Sequence, residues 1–200
     1  MDPGQDALRE GLKTVAVALK ETGLPFALVG GYAAWVHGAP EPGHDVDFLV
    51  SPDDAPDAAE QLVRSGLHVR QPPEDWLFKV ESEGATVDVI HRTNSAPVDD
   101  VLARVSTRPV LSVRMPVISP TDLVSEKLLS LAEHYCNITE VLPPLRALRE
   151  QVDWDEVVKC TDGHPFAEAV LFLVDRLGIV DLGIASGMGR PPEGGRAPLP

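Results

Sequence analysis

Apolar residues recur at helical spacing from the start of the chain. Leu8, Leu12, Val15, Ala16 and Leu19 share one face at 3.6 residues per turn, which predicts an amphipathic helix over residues 6–22. Gly23 stands where a C-terminal cap belongs, and Pro25 blocks continuation. The pattern then shortens. Residues 26–29 form a brief apolar run bounded by proline and glycine, as in a buried strand, and residues 31–36 read as a helix packed behind it. A Gly/Pro loop over residues 38–43 leads to a second apolar strand at 45–50.

Ser51-Pro-Asp-Asp-Ala has the chemistry of a helix start, with Ala58, Leu62 and Val63 as the buried face and Gly66 as the stop. Residues 68–71 are a weak strand. Residues 76–81 and 85–92 flank a Ser-Glu-Gly turn and predict a hairpin. Residues 98–105 predict a short helix, and 110–113 and 117–118 brief strand-like pieces interrupted by Pro116. Helices follow at 123–131, 142–152, 154–160 and 165–177, with Asp153 as a cap and Pro165 in a first turn. The order is mixed α/β first and all-helical second. It divides the chain into an α/β domain over 1–118, a helical region packed on it over 119–179, and a Gly/Pro-rich tail over 180–200 with little to bury.

Two positions break the apolar pattern. In a strand, residues i and i+2 share a face, so Asp45 and Asp47 are expected side by side, with Val46 and Phe48 turned to the core. Adjacent carboxylates repel unless a cation neutralises them. On the later strand, Val87 and Val89 alternate with Thr86, Asp88 and Ile90, which leaves Asp88 a lone acid on the face opposite the valines. Three carboxylates on apolar strands can chelate a hard cation such as Mg²⁺, which prefers oxygen ligands. The other reading of Asp45-Val-Asp47 is two acids on a solvated edge. Gly30-Gly31 follows a strand and opens a helix, where bare backbone admits a phosphate or simply makes a tight turn.

Composition narrows the partners. With 31 acidic against 17 basic residues the net charge is −14, which repels polyanions and argues against a long nucleic-acid track, though not against one nucleotide or an RNA end. Cys136 and Cys160 have neither zinc nor CxxC spacing, and no run approaches the roughly 18 apolar residues of a membrane span. A cytoplasmic protein with no membrane partner is expected. The histidines His37, His44 and His91 lack a zinc-hydrolase pattern. Trp35, Trp76 and Trp154 suit core or interface better than base stacking.

Gly30-Gly31, the Asp45-Val-Asp47 strand and Asp88 in Thr-Val-Asp-Val-Ile together resemble the DNA polymerase β-type nucleotidyltransferase superfamily. The spacing is most similar to small bacterial members, among them abortive-infection toxins, minimal nucleotidyltransferase antitoxins and some aminoglycoside nucleotidyltransferases. The resemblance covers roughly residues 24–132. It implies an α/β (α+β) fold, a mixed β-sheet flanked by helices. It also implies transfer of an NMP group from an NTP, ATP foremost, to a hydroxyl acceptor, with Mg²⁺ or Mn²⁺ and release of pyrophosphate. By that resemblance Asp45 and Asp47 hold metal, Asp88 completes the metal site and helps activate the acceptor, and Gly30 and Gly31 face the nucleotide. Relatives carry a lysine on a helix opening with Pro-x-x-Leu. Ser119-Pro-Thr-Asp-Leu-Val-Ser-Glu-Lys127 is similar, so Lys127 either contacts the triphosphate or is a solvated helix lysine.

Two stretches depart from the relatives. Where they place an arginine and a hydroxyl residue before the paired acids, this chain has Glu41-Pro-Gly-His44; Asn137 and Glu140 occupy positions that relatives fill with two aspartates. These departures motivate the alternative, a catalytically weak or inactive binding module, such as an antitoxin or defence-system partner of a basic protein.

Overall fold

A computed structural model describes residues 3–82 and 84–184. The amphipathic face of the first helix, α1 (Pro3–Thr22), buries Leu12, Val15, Ala16 and Leu19, and Gly23 closes it at a positive φ of 73°. Next come β1 (Phe26–Val29), α2 (Gly30–Val36) and β2 (Val46–Val50), then α3 (Ala55–Arg64) and β3 (His68–Arg70). The hairpin β4 (Leu77–Ser82) and β5 (Ala85–Ile90) leads to α4 (Val98–Ala103) and a second hairpin, β6 (Ser106–Val110) and β7 (Val113–Val117). Four helices complete the chain: α5 (Pro120–Leu129), α6 (Ile138–Leu148), α7 (Trp154–Cys160) and α8 (Pro165–Arg176).

The seven strands form one mixed sheet in the order β3-β4-β5-β2-β1-β7-β6, as expected of an α+β fold with a flanked mixed sheet. At its centre β2 runs antiparallel to β1 and parallel to β5. The parallel register pairs Val46 with Val87, Asp47 with Asp88 and Phe48 with Val89. All four of these apolar residues are fully buried. A Cβ added to Gly11 of α1 would lie 3.4 Å from Ala85, so α1 covers the valine face. Asp47 and Asp88 share the opposite face.

Several expectations needed correction. The pieces at 110–113 and 117–118 are in fact the turn and the far end of one continuous hairpin over 106–117, with Leu111 at φ 53° in the turn. Its β6 is an edge strand with Thr107, Arg108 and Pro109 exposed, so it carries no apolar alternation and tolerates a proline. Asp54 rather than Ser51 precedes α3, without a side-chain cap, and Val63 is exposed. Helix α6 begins four residues before the expected start because the Asn137 side chain accepts from the Thr139 amide, leaving Pro143 and Pro144 inside it. Asp153 and Pro165 take their expected places at the starts of α7 and α8. Of the tail, Val180 and Leu182 pack against the core rather than standing free; residues 185–200 lie outside the described residues. Among the described residues, no helix is long and apolar enough to cross a membrane.

Candidate active site

The site grows from the central strands. Asp47 lies on β2 opposite Val29, the last residue of β1, so its side chain reaches Gly30 at the first turn of α2. Gly30 has φ 63°, and a Cβ there would stand 2.0 Å from Asp47 Oδ2. The missing side chain is therefore the space the carboxylate uses. Gly31 is bare for a different reason: a Cβ there would come within 3.0 Å of Pro42 Cβ in the loop before β2. Gly30 is the sterically demanding position of the pair, while at Gly31 a side chain would be only tight against Pro42.

Asp45 departs from the strand geometry expected of it. Strand β2 begins at Val46, and Asp45 stands ahead of it in the left-handed region at φ 52°, a conformation aspartate tolerates better than most residues. The alternation that would align it with Asp47 does not reach it. Its side chain is 73% exposed and lies 2.9 Å from His44 Nδ1. It is still near enough to act on Asp47 electrostatically.

Asp88 has a cation of its own. Lys79 is its register partner across the β4–β5 hairpin, and the ammonium donates to both carboxylate oxygens at 2.7 Å. The two side chains are 28% and 20% exposed. Lys127, on α5, is partly buried; burial lowers its pKa, opposed by Glu140 and Asp47. The lysine is thus drawn toward the carboxylates. Ser119 accepts from the Asp122 amide to start α5, and Arg104 pairs with Asp122 at 2.6 Å. The neighbouring Glu126 accepts from the amides of Asn94 and Ser95, which ties the loop after β5 to the same helix. Asn137 Nδ2 donates to Glu140 at 2.6 Å at the start of α6.

Asp47 is the electrostatic centre. Burial, then Asp88, then Asp45 push its carboxyl up to about 7, while Lys79 and Lys127 pull it down. Two nearby lysines leave the carboxyl raised, because its burial and the two neighbouring carboxylates outweigh them. Among the described residues, no three Asp, Glu, His or Cys side chains are gathered to hold a metal ion. The donors that fit one are Asp47 and Asp88, hard oxygen ligands in register on neighbouring strands, of which Asp47 gains most from a cation.

The structure therefore brings together Asp47, Asp88, Gly30 and Lys127, and leaves Asp45 at the rim. Lys79 went unnoticed in the sequence although a signal was present. It alternates with the buried Phe78 and Val80, and hairpin register sets it opposite Asp88. His37 is structural: it is buried, its Nε2 lies 2.8 Å from the Ile118 carbonyl, and burial lowers its pKa. Trp154 belongs to the core, and Trp35 packs edge-on against Tyr32. Lys79→Met strands Asp88 beside Asp47 without its counter-charge. It is expected to destabilise the fold by about 2 kcal/mol near neutral pH, less than a fully buried pair because both groups keep some solvent. Urea denaturation of this variant and of K79M/D88N, in which stability should largely return, checks the assignment.

Known proteins carry the same fold. The antibiotic-resistance factor ANT(2'')-Ia, solved in solution, superposes with a TM-score of 0.59 at 13% identity, covering 83% of this chain and 96% of that one. Its crystal structure in complex with adenylyl-2''-tobramycin gives 0.56 at 13% identity, over 78% and 94%. An antigenic nucleotidyltransferase-like protein from Paracoccidioides brasiliensis gives 0.52 at 15% identity, over 91% of both chains. No curated protein matches the sequence. The uncharacterised nucleotidyltransferase family matches residues 4–182, nearly the whole described chain, and the protein belongs to that family.

Proposed function

We propose that the chain transfers a nucleoside monophosphate from an NTP to a hydroxyl acceptor, with a divalent cation, Mg²⁺ or Mn²⁺, held by Asp47 and Asp88. The observation that carries this reading is the in-register pair itself: two carboxylates on adjacent parallel strands, one raised to about 7 by burial and by the charge of its neighbour. When bound, the cation supplies charge neutralisation for the triphosphate and the leaving pyrophosphate. In the transfer, the acceptor oxygen bonds to the α-phosphorus, the bond from that phosphorus to the oxygen bridging to the β-phosphate breaks, and pyrophosphate leaves with that oxygen. Asp88, oriented by Lys79, takes the hydroxyl proton. Gly30 and Gly31 lie on the nucleotide side, and Lys127 offsets phosphate charge. Asp45, at the edge of the pair, would be a further oxygen ligand for that cation. The helical region from residue 119 is packed on the α/β domain and sends Lys127 into the site.

ATP and small polyhydroxylated acceptors are the first substrates to try, since a protein of the same fold was solved with adenylyl-2''-tobramycin. An RNA end is the next. The chain is incubated with each α-labelled NTP, Mg²⁺ and a panel of hydroxyl acceptors. The expected outcome is one labelled acceptor with stoichiometric pyrophosphate. No label and no pyrophosphate with any NTP would refute the reading.

A second reading has its own observation. Lys79 occupies both oxygens of Asp88, and Asp45 is paired with His44 in solvent, an arrangement that suffices for a module that binds without turnover. Its acidic surface would suit a basic partner of the toxin–antitoxin kind. Nucleotide-independent capture of such a partner, without pyrophosphate release, distinguishes it.

A further inference from the structure

The loop between α2 and β2 has no strand to pair with, yet it delivers Asp45 to the rim of the site at a positive φ. Something else must fix it. The first two turns of α1 do so. Arg9 donates through Nε and Nη2 to the two oxygens of Glu41, at 2.7 and 2.6 Å, a two-point grip of fixed direction. One helical turn earlier, Gln5 Nε2 lies 3.4 Å from the Pro42 carbonyl.

Pro42 in turn sits where a side chain on Gly31 would point, and the neighbouring Gly30 makes the space for the Asp47 carboxylate. The loop that Arg9 and Gln5 hold thus lies next to the glycine pair. The hydroxyl of Tyr32, fully buried and without a hydrogen-bond partner among the described residues, also feels the charges of Glu41 and Arg9. The pair thus lies close to Tyr32, with the Glu41 side chain 15% and that of Arg9 34% exposed. Hydrogen bonding to the partner raises the Arg9 pKa and lowers that of Glu41, as a formed pair requires.

We infer that Arg9 is a positioning residue for the transfer site: by gripping Glu41 it holds the 38–45 loop, and with it Asp45, at the edge of the Asp47–Asp88 pair. A helix more than thirty residues away in sequence takes over what the loop lacks, a cation of its own. The inference rests on the proposed transfer reading.

The test uses the full chain and two readouts. Hydrogen exchange of the 38–45 amides is measured without metal or nucleotide in the wild type, Arg9→Gln, Glu41→Gln and the exchanged pair Arg9→Glu with Glu41→Arg. Transfer kinetics are measured in the same four proteins. Each single variant should exchange about fivefold faster over 38–45 than the wild type, with other segments unchanged. Each should also lose about tenfold in kcat, with a smaller change in KM for the nucleotide, because a displaced loop misplaces a reacting group. The exchanged pair should regain both. Wild-type exchange in both single variants, faster exchange without loss of kcat, or failure of the exchanged pair to recover would each overturn the inference. Should the wild type transfer nothing, the functional reading fails, while the exchange measurement still decides whether the grip exists.

Discussion

Asp47→Asn is expected to reduce nucleotidyl transfer by a factor on the order of 10³ or more and, at the same time, to make the folded chain more stable at pH 8 in metal-free buffer. The first effect follows from removing the inner carboxylate of the pair. The second follows from its titration. The folded carboxyl is pushed up to about 7 from an ordinary value of 3.8, by burial first and by Asp88 and Asp45 next. Between those values the folded chain holds a proton that the unfolded chain has released. Stability from this group is therefore complete below pH 3.8, falls as pH rises toward 7, and stays low above it. The full span is on the order of 4 kcal/mol, an upper figure for a group with some solvent contact. Asparagine carries no such titration, so urea midpoints of wild type and variant should converge at pH 4 and separate at pH 8. A site residue that weakens its own fold when ionised is what a cation would relieve.

Gly30→Ala should be nearly as damaging to transfer, and damaging to stability as well. The added Cβ would stand 2.0 Å from Asp47 Oδ2 and 2.9 Å from Cγ, so the carboxylate must move. The backbone at φ 63° adds the cost of placing alanine in the left-handed region, about 1 kcal/mol. Together, a loss of roughly 3 kcal/mol in stability and at least 10² in kcat is expected. Alanine at Gly23 makes the contrast. That residue has φ 73° and open space around it, so the substitution carries the backbone cost alone and should leave transfer intact. Equal effects at the two glycines would mean that the Asp47 contact is immaterial.

Much of this was legible in the sequence, for local reasons. Helix α1, strand β1 and the β4–β5 hairpin are written in periodicity and turn chemistry within short windows. The lone acid among valines marked Asp88, and the glycine pair marked the turn that receives Asp47. What was missed depends on contacts between distant segments. Strand β6 carries Arg108 and Pro109 because its outer edge faces solvent, and only its place in the sheet explains that. The conformation of Asp45 is set by the loop before it, which is held by Arg9 from α1. Spacing of i and i+2 implies a shared face only if both residues lie in the strand, and Asp45 does not. The half-buried place of Lys127 depends on how α5 packs against α2.

Asp47 and Asp88 are proposed to form one cation-dependent nucleotide site. Calorimetric titration of Mg²⁺·ATP into the wild type and Asp47→Asn addresses it most directly. The expected result is saturable, magnesium-dependent binding to the wild type that weakens by at least about tenfold in the variant, since a ligand charge has been removed. Equal affinity in the two proteins, or binding that is the same in EDTA, would contradict it.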